Sequence, residues 1–550
     1  MKEKKYADVI IDISHEKVDR TFQYKIPETL RETVLVGTGV MVPFGRGNRL
    51  TAGYVVEITD QAEFDEEKMK EIYSLSKQKV SPSEDALKLA AFLKETYGST
   101  MIAALKTVLP VKREVKAKEK KTIVRKMNGE EIRSLLAESI KKHQMGKARL
   151  LAALAEEQQL PYELVTGKLR IAPSTIKSLI SQQAVTVETE SCYRNPVQLE
   201  AAGREEKKLS NEQQAIVDAV IADRDAGICK TYLIHGITGS GKTEVYLSLI
   251  EETVKRGRQC IMLIPEIALT YQTLLRFYKR FGDRVSVLNS SLSEGERYDQ
   301  CERARKGEID VIIGPRSALF TPFEKTGMIV IDEEHEPSYK SETMPRYHAR
   351  ETAEYLASLK GASLVLGSAT PSLEAYSRAK KGEYELFTLT RRLTGGRLAD
   401  VSVVDLRKEL KEGNRSIFSR KLQELMEDRL SRKEQIMLFL NRRGYAGFVS
   451  CRSCGLVMKC PHCDVSLSQH RGGKLVCHYC GYEMQESKKC PSCGSPYILG
   501  FKAGTQQIED QIRKRFPGAG VLRMDADTTR KKGSYEEILS SFAEGEADIL

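Results

Sequence analysis

Residues 231–243 read TYLIHGITGSGKT, a short apolar run that ends in a glycine-rich turn and leads into the helical pattern TEVYLSLIEETVKRG. Gly236–Thr243 fits GxxxxGK[ST] in the setting that pattern requires, a strand before it and a helix after it. Gly236, Gly239 and Gly241, with Ile237, Thr238 and Ser240 between them, allow backbone N–H groups to close on phosphate oxygens. The helix N-terminus adds positive partial charge. Lys242 then reaches the β and γ phosphates, and Thr243 offers its hydroxyl to Mg2+. The stretch therefore predicts an α/β domain that binds ATP.

Outward from it, short apolar runs alternate with amphipathic helices. KTYLIHG, QCIMLIP, VSVLN, DVIIG, MIVID and SLVLG have the composition of buried strands, and the alternation predicts βαβ units on a parallel sheet. The run MIVID leads into DEEH, Asp332–His335. A carboxylate at that strand end can hold magnesium, and Glu333 can orient and deprotonate an attacking water. An isolated acidic strand end is commonly a solvated turn; downstream of a P-loop and one strand before LGSAT, the catalytic reading prevails. A second α/β unit starts at EQIMLFLN, is interrupted by cysteines and resumes at VLRMD.

Of the 550 residues, 41% are hydrophobic and 30% charged, a balance with ample core that excludes a disordered or membrane-spanning chain. The opening MKEKKYADVIIDISHE has no apolar core or cleavage site, so a cytoplasmic address is expected. A net charge of +11 leans toward a polyanionic partner. Tryptophan is absent, leaving Tyr, Phe and Arg for any base stacking.

Eight of the 12 cysteines lie within Cys451–Cys493, all in CxxC pairs, which in a reducing compartment are metal ligands before they are disulfides. Each pair presents two thiolates to one tetrahedral ion, so four pairs make two closed structural Zn2+ sites. Four pairs divide into two sites in three ways, and spacing does not choose among them.

The N-terminal part is mixed. Residues 1–108 read as a strand-rich module closed by the helical SEDALKLAAFLKETYG. Residues 109–128, carrying VKREVKAKEKKTIVRK, read as a basic linker. Residues 129–200 have helical spacing, then a helix starting at Pro173–Ser174 and an alternating strand, as in a winged helix-turn-helix with Lys177 facing out.

LSNEQ (Leu209–Gln213), LIPEIALTYQ (Leu263–Gln272), GPRSA (Gly314–Ala318) and GSAT (Gly367–Thr370) resemble motifs of superfamily 2 helicases. The strings LIPEIALT, SEGER, DEEHEPSYK, PRYHAR, GSATPSLEAY and FLNRRGYAGFVSCRSCG are similar to those of the PriA family of replication-restart helicases, across nearly the whole chain. The resemblance implies that Gln213 reads adenine. It also implies that the aromatic-rich segment Tyr339–Arg350 couples DNA binding to ATP turnover through Tyr347, His348 and Arg350, a stacking platform for unpaired bases. It implies nested zinc ligation: Cys451, Cys454, Cys490 and Cys493 on one ion, Cys460, Cys463, Cys477 and Cys480 on the other. At the N-terminus it points to Phe22, Gln23, Tyr24 and Gly45, with Lys70, as a pocket for the 3′ end of a DNA strand. Most relatives carry Asp where this chain has Gln23.

The expected architecture is multidomain α/β with RecA-like P-loop motor lobes: a β-rich DNA-binding domain (1–108), a basic linker (109–128), a winged-helix domain (129–200) and a first lobe (201–395). A second lobe begins at 396–448, holds the two-zinc insertion at 449–496 and continues over 497–550, incomplete at the C-terminus. Family members continue past the position of Leu550 to a later motif and an arginine finger worth about 10³–10⁵ in rate. The 550 residues are therefore expected to bind ATP, zinc and DNA while hydrolysing poorly and not unwinding. AGTQQIE (Ala503–Glu509) has Gln506 where Glu is commoner. The implied function is a 3′-to-5′ helicase acting at stalled forks and D-loops, nucleoid-associated in the cytoplasm. Its implied partners are single-stranded DNA, primosome and helicase-loading proteins, and single-stranded DNA-binding protein, with no membrane. The alternatives are another fork-remodelling superfamily 2 translocase and a zinc-organised DNA-binding scaffold with an inactive ATPase.

Overall fold

Seven parallel strands carry the motor fold, and their residues alternate between two buried faces. In the strand Thr231–Gly236, Leu233 joins one apolar cluster while Tyr232 and Ile234 join the other; Ile329 and Ile331 against Met328 and Val330 do the same in Thr326–Asp332. A strand covered on both faces has no polar side to show, which explains the near-continuous apolar runs. Across the sheet the order is Val285–Val287, Val311–Gly314, Gln259–Leu263, Thr326–Asp332, Ser363–Ser368, Thr231–Gly236, Glu385–Leu389. Six of these are the predicted runs. The seventh, ELFTL, lies on the sheet edge and is only partly buried, so its apolar pattern was too thin to read.

The computed structural model describes residues 5–63, 65–76, 82–109, 111, 118–194, 208–266, 271–393, 399–440, 449–470, 473–500, 505–525, 527–529 and 534–550. Outside them lie 112–117 of the expected linker, 267–270 of LIPEIALTYQ, 441–448 of FLNRRGYAGF and 503–504 of AGTQQIE. The chain forms two compact units, Met1–Gly396 and Arg397–Leu550.

The first unit opens with a five-stranded antiparallel sheet in the order Thr21–Lys25, Tyr6–Ile11, Arg49–Thr59, Gly39–Phe44, Ser74–Leu75. The helices Glu84–Tyr97 and Met101–Val108 belong to the same apolar cluster as Leu319, Phe320 and Leu356 of the motor. Phe92 stacks on Tyr355 with centroids 4.2 Å apart, and Tyr97 bonds Glu351. These helices thus pack with the motor as well as closing the N-terminal module.

The linker reading needs correction. Lys118–Arg125 is the central strand of a three-stranded sheet, antiparallel to Gln159–Pro161 and to Val185–Cys192. Its β-branched TIV suits a strand, and Ile123 is fully buried among Ile132, Leu150 and Leu179. Abundant lysines hid a strand that belongs to the domain expected to start at 129. With the helices Gly129–Lys141, Met145–Glu156 and Pro173–Ser181 it makes a helix-and-sheet module in which Lys177 is exposed.

In the second unit, backbone bonds from Ile436 to Asp548 and Leu550, and from Leu522 to Ile549, lay three short parallel stretches side by side. Met426, Ile512, Val521 and Ile549 form the core beneath them. The cysteine-rich part adds a two-stranded pair, Val449–Cys451 with Ile498–Gly500, and a three-stranded meander, Ser468–His470, Lys474–Val476, Glu483–Gln485. Among the described residues no helix is long and apolar enough to cross a membrane.

Candidate nucleotide, zinc and DNA sites

The three motor motifs end three neighbouring strands. Ser363–Ser368, carrying GSAT, lies between Thr231–Gly236, which leads to the P-loop, and Thr326–Asp332, which leads to DEEH. Carboxyl ends of adjacent parallel strands are where open α/β sheets bind ligands. Lys242, at the start of the helix Lys242–Lys255, is buried, and its ammonium donates to the Gly236 carbonyl at 2.8 Å. Asp332 is half-buried at the strand end. Burial first, then the charge of Glu333, pushes its pKa up to about 6, while the Lys242 charge opposes the rise. A bound cation would offset the same penalty, which suits Asp332 to hold one.

Glu333 follows in a left-handed backbone conformation, φ +47°. A non-glycine residue there carries strain of the kind that clusters at functional sites. Its neighbours are tied down. Tyr246, one turn after Lys242, donates to Asp332 Oδ1 at 3.2 Å, and the Tyr339 hydroxyl donates to the Asp332 carbonyl at 2.8 Å. His335 Nδ1 lies 2.8 Å from Ser368 Oγ, joining DEEH to GSAT. Tyr246 was not predicted, and Tyr339 was named only as the first residue of the aromatic-rich segment, without this contact. Spacing of four from Lys242 was the available sign for Tyr246.

Gln213 does not stand free to reach a base. Its Oε1 accepts from the Ser210 N–H at 2.8 Å in a capping box, and its Nε2 donates to the carbonyls of Ser240 and Gly241 at 3.0 and 3.3 Å. It anchors the phosphate loop.

Two residues of the implied stacking platform, Tyr347 and Arg350, are buried. Tyr347 is 3% exposed, edge-on to Phe320 at 5.3 Å and beneath the Arg316 guanidinium. Arg350 is 6% exposed and bonded to Glu334 and Ser372. His348 caps the helix Ala349–Lys360 by accepting from the Arg350 N–H, and burial, then Arg350, lowers its pKa. Tyr347 thus fills core space, and Arg350 spends its donors on Glu334 and Ser372.

The four CxxC turns share one backbone geometry. In each, the residue after the second cysteine (Gly455, Asp464, Gly481, Gly494) donates its N–H to the carbonyl of the first cysteine at 2.8–2.9 Å. All four adopt positive φ, which is why glycine fills three of these positions. The Sγ atoms of Cys451, Cys454, Cys490 and Cys493 lie within 4.8 Å of one another, and so do those of Cys460, Cys463, Cys477 and Cys480. This is the nested division. Pairs such as Cys451–Cys493 and Cys460–Cys480 stand 3.6 Å apart, near the ~3.8 Å edge of a tetrahedron with Zn–S arms of about 2.3 Å. The donor set and its spacing fit zinc.

At the N-terminus, strand alternation divides the expected pocket. Tyr24 is buried in the sheet core and Phe22 packs against it, meeting Phe44 edge-on at 5.0 Å. Lys70 Nζ donates to the Gly45 carbonyl at 3.0 Å, which brings Phe44, Gly45 and Lys70 to one place. Gln23 points the other way, beside its cross-strand partner Asp8, with its amide on Gln61 and Glu63.

Comparison with known proteins follows this division of sites. Residues 8–110 match the 3′ DNA-binding domain (3′BD) of PriA, 210–379 the DEAD/DEAH box helicase domain, and 460–485 the PriA DNA helicase Cys-rich region. Replication restart protein PriA of Bacillus subtilis is 38% identical to this chain, covering 99% of it and 76% of the relative. The chain belongs to the PriA family. Its Chlamydia pneumoniae relative is 34% identical over 99% of the chain and 73% of the relative, and that of Synechocystis 45% identical over 58% and 40%. As a PriA-family protein it is a DNA helicase with an ATP-hydrolysing motor, a 3′ DNA-binding domain and zinc-binding cysteine clusters.

Proposed function

We propose that the chain is an ATP-driven 3′-to-5′ DNA helicase that engages stalled forks and D-loops and starts primosome assembly for replication restart. The observation that carries the motor part is the convergence of the P-loop, DEEH and GSAT on three adjacent strand ends. Lys242 holds the β and γ phosphates, and Thr243 and Asp332 would hold Mg2+, whose charge would offset that of the phosphates. Glu333 orients a water for in-line attack on the γ phosphorus and accepts its proton as the bond to ADP breaks. His335 links this hydrolytic end to GSAT, the element that couples hydrolysis to strand movement.

The DNA part rests on the family match of residues 8–110 and on Phe22, Gly45 and Lys70 as the contact set for a free 3′ end. Gln23, on the other face of the strand with its amide on Gln61 and Glu63, lies outside this set. Single-stranded DNA-binding protein and helicase-loading proteins are the partners, docked through the zinc region, at the nucleoid in the cytoplasm.

The test is strand displacement by the full-length protein on duplexes with 3′ or 5′ tails and on forks with or without a 3′ end at the branch. Expected are dependence on ATP, preference for the 3′ tail and for the fork with a 3′ end, and loss of DNA-stimulated hydrolysis in Lys242→Ala. Undiminished hydrolysis in that variant would overturn the motor reading.

A further inference from the structure

The acid after Glu333 has no part in the hydrolytic scheme above, yet it is the most completely buried charge of the motif. The Glu334 side chain is 0% exposed and that of Arg350 7%. Glu334 Oε1 accepts from the Ser372 backbone N–H at 2.6 Å, and Oε2 from the Ser372 hydroxyl at 3.0 Å and from Arg350 Nη1 at 3.2 Å. Arg350 Nη1 also donates to Ser372 Oγ at 2.7 Å. Ser372 in turn caps the helix Leu373–Lys380. Three segments distant in sequence meet at one carboxylate.

A buried ion pair adds less stability than well-packed apolar side chains of similar volume, while loss of one partner is costly. What such a pair supplies is geometry. Glu334 also donates its N–H to the Gly367 carbonyl at 3.0 Å. Glu333, at φ +47°, is therefore held between Asp332, tied by Tyr246 and Tyr339, and Glu334, tied by Arg350 and Ser372. A residue in a sparsely populated conformation persists only where its surroundings over-determine it.

We propose that Glu334 and Arg350 are positioning residues for hydrolysis: their buried pair, seated on Ser372, holds Glu333 in the left-handed turn from which it addresses the attacking water. The proposal rests on the motor reading. It gives Arg350 a role inside the protein.

Three variants of the full-length protein test it: Glu334→Gln, Arg350→Lys, and Glu334→Gln with Arg350→Met, which leaves no lone buried charge. For each, kcat and KM for ATP at saturating single-stranded DNA, nucleotide Kd and the thermal midpoint are measured. Glu334→Gln is expected to lower kcat by about 10²-fold, the scale of an ångström-sized misplacement, while KM and Kd move by less than about twofold. Arg350→Lys, which keeps the charge, is expected to lower kcat by less than Glu334→Gln does. The paired variant regains most of the thermal midpoint but not kcat. A paired variant that turns over ATP at the wild-type rate would show the pair to be structural only and overturn the proposal, as would an unchanged kcat in Glu334→Gln. Either result beside an inactive Lys242→Ala sinks the positioning role alone; undiminished hydrolysis in Lys242→Ala sinks the motor reading and this proposal together.

Discussion

Oδ1 of Asp332 accepts a 3.2 Å hydrogen bond from the hydroxyl of Tyr246, so the helix that begins at Lys242 is bonded directly to the strand end that carries the acids. The same hydroxyl occupies the space above Gly367: a Cβ placed there would lie 1.5 Å from it. GSAT needs its glycine because the P-loop helix and the acid strand are linked across it.

Tyr246→Phe and Gly367→Ala should therefore differ in kind. The first deletes one hydrogen bond and is expected to cost about 1 kcal/mol. The second forces the Tyr246 ring aside, at about 1–3 kcal/mol, and displaces the Asp332 contact with it. Thermal midpoints and DNA-stimulated ATPase of both variants check this. A neutral Gly367→Ala would contradict the close approach.

Zinc content can separate the nested division of the cysteine pairs from the other two. With the nested division, Cys460→Ser combined with Cys477→Ser damages one cluster, and metal analysis should find one zinc per chain in place of two. Any other division places these two cysteines on different ions, and both would be lost. Chelation of both ions should unfold the region outright, because Cys451, Cys460, Cys477 and Cys490 are themselves its core.

Asp8 offers a pH test of the N-terminal sheet. It is 8% exposed, its Oδ1 has no hydrogen-bond partner, and burial, then Glu63, raises its pKa, with Gln23 opposing and Glu57 adding. The folded chain thus keeps the Asp8 proton to higher pH than the unfolded chain does. Stability falls as pH rises from the ordinary carboxylate range through the folded value, and the penalty persists above it. Asp8→Asn should raise the thermal midpoint at neutral pH, with the gain fading as pH drops below the ordinary carboxylate range. A gain that did not depend on pH would rule out the charge as its cause.

Phosphate and metal turns were legible in the sequence because consecutive residues build them. Gly236–Thr243 needs only its own backbone and the helix it opens, and each CxxC turn needs only the next residue at positive φ. Six of the seven motor strands were legible too, since burial on both faces writes itself as an unbroken apolar run. What the tertiary structure alone decided depends on residues far apart. Glu334 meets Ser372 across 38 positions, and Cys451 meets Cys493 across 42. Tyr347 turns into the core, Gln213 spends its amide on the phosphate loop, and Lys118–Arg125 becomes a strand by pairing with Val185–Cys192. A local pattern encodes the conformations available to a few neighbouring residues; which charges are buried, and which thiolates share an ion, follows from contacts that exist only once the chain has folded.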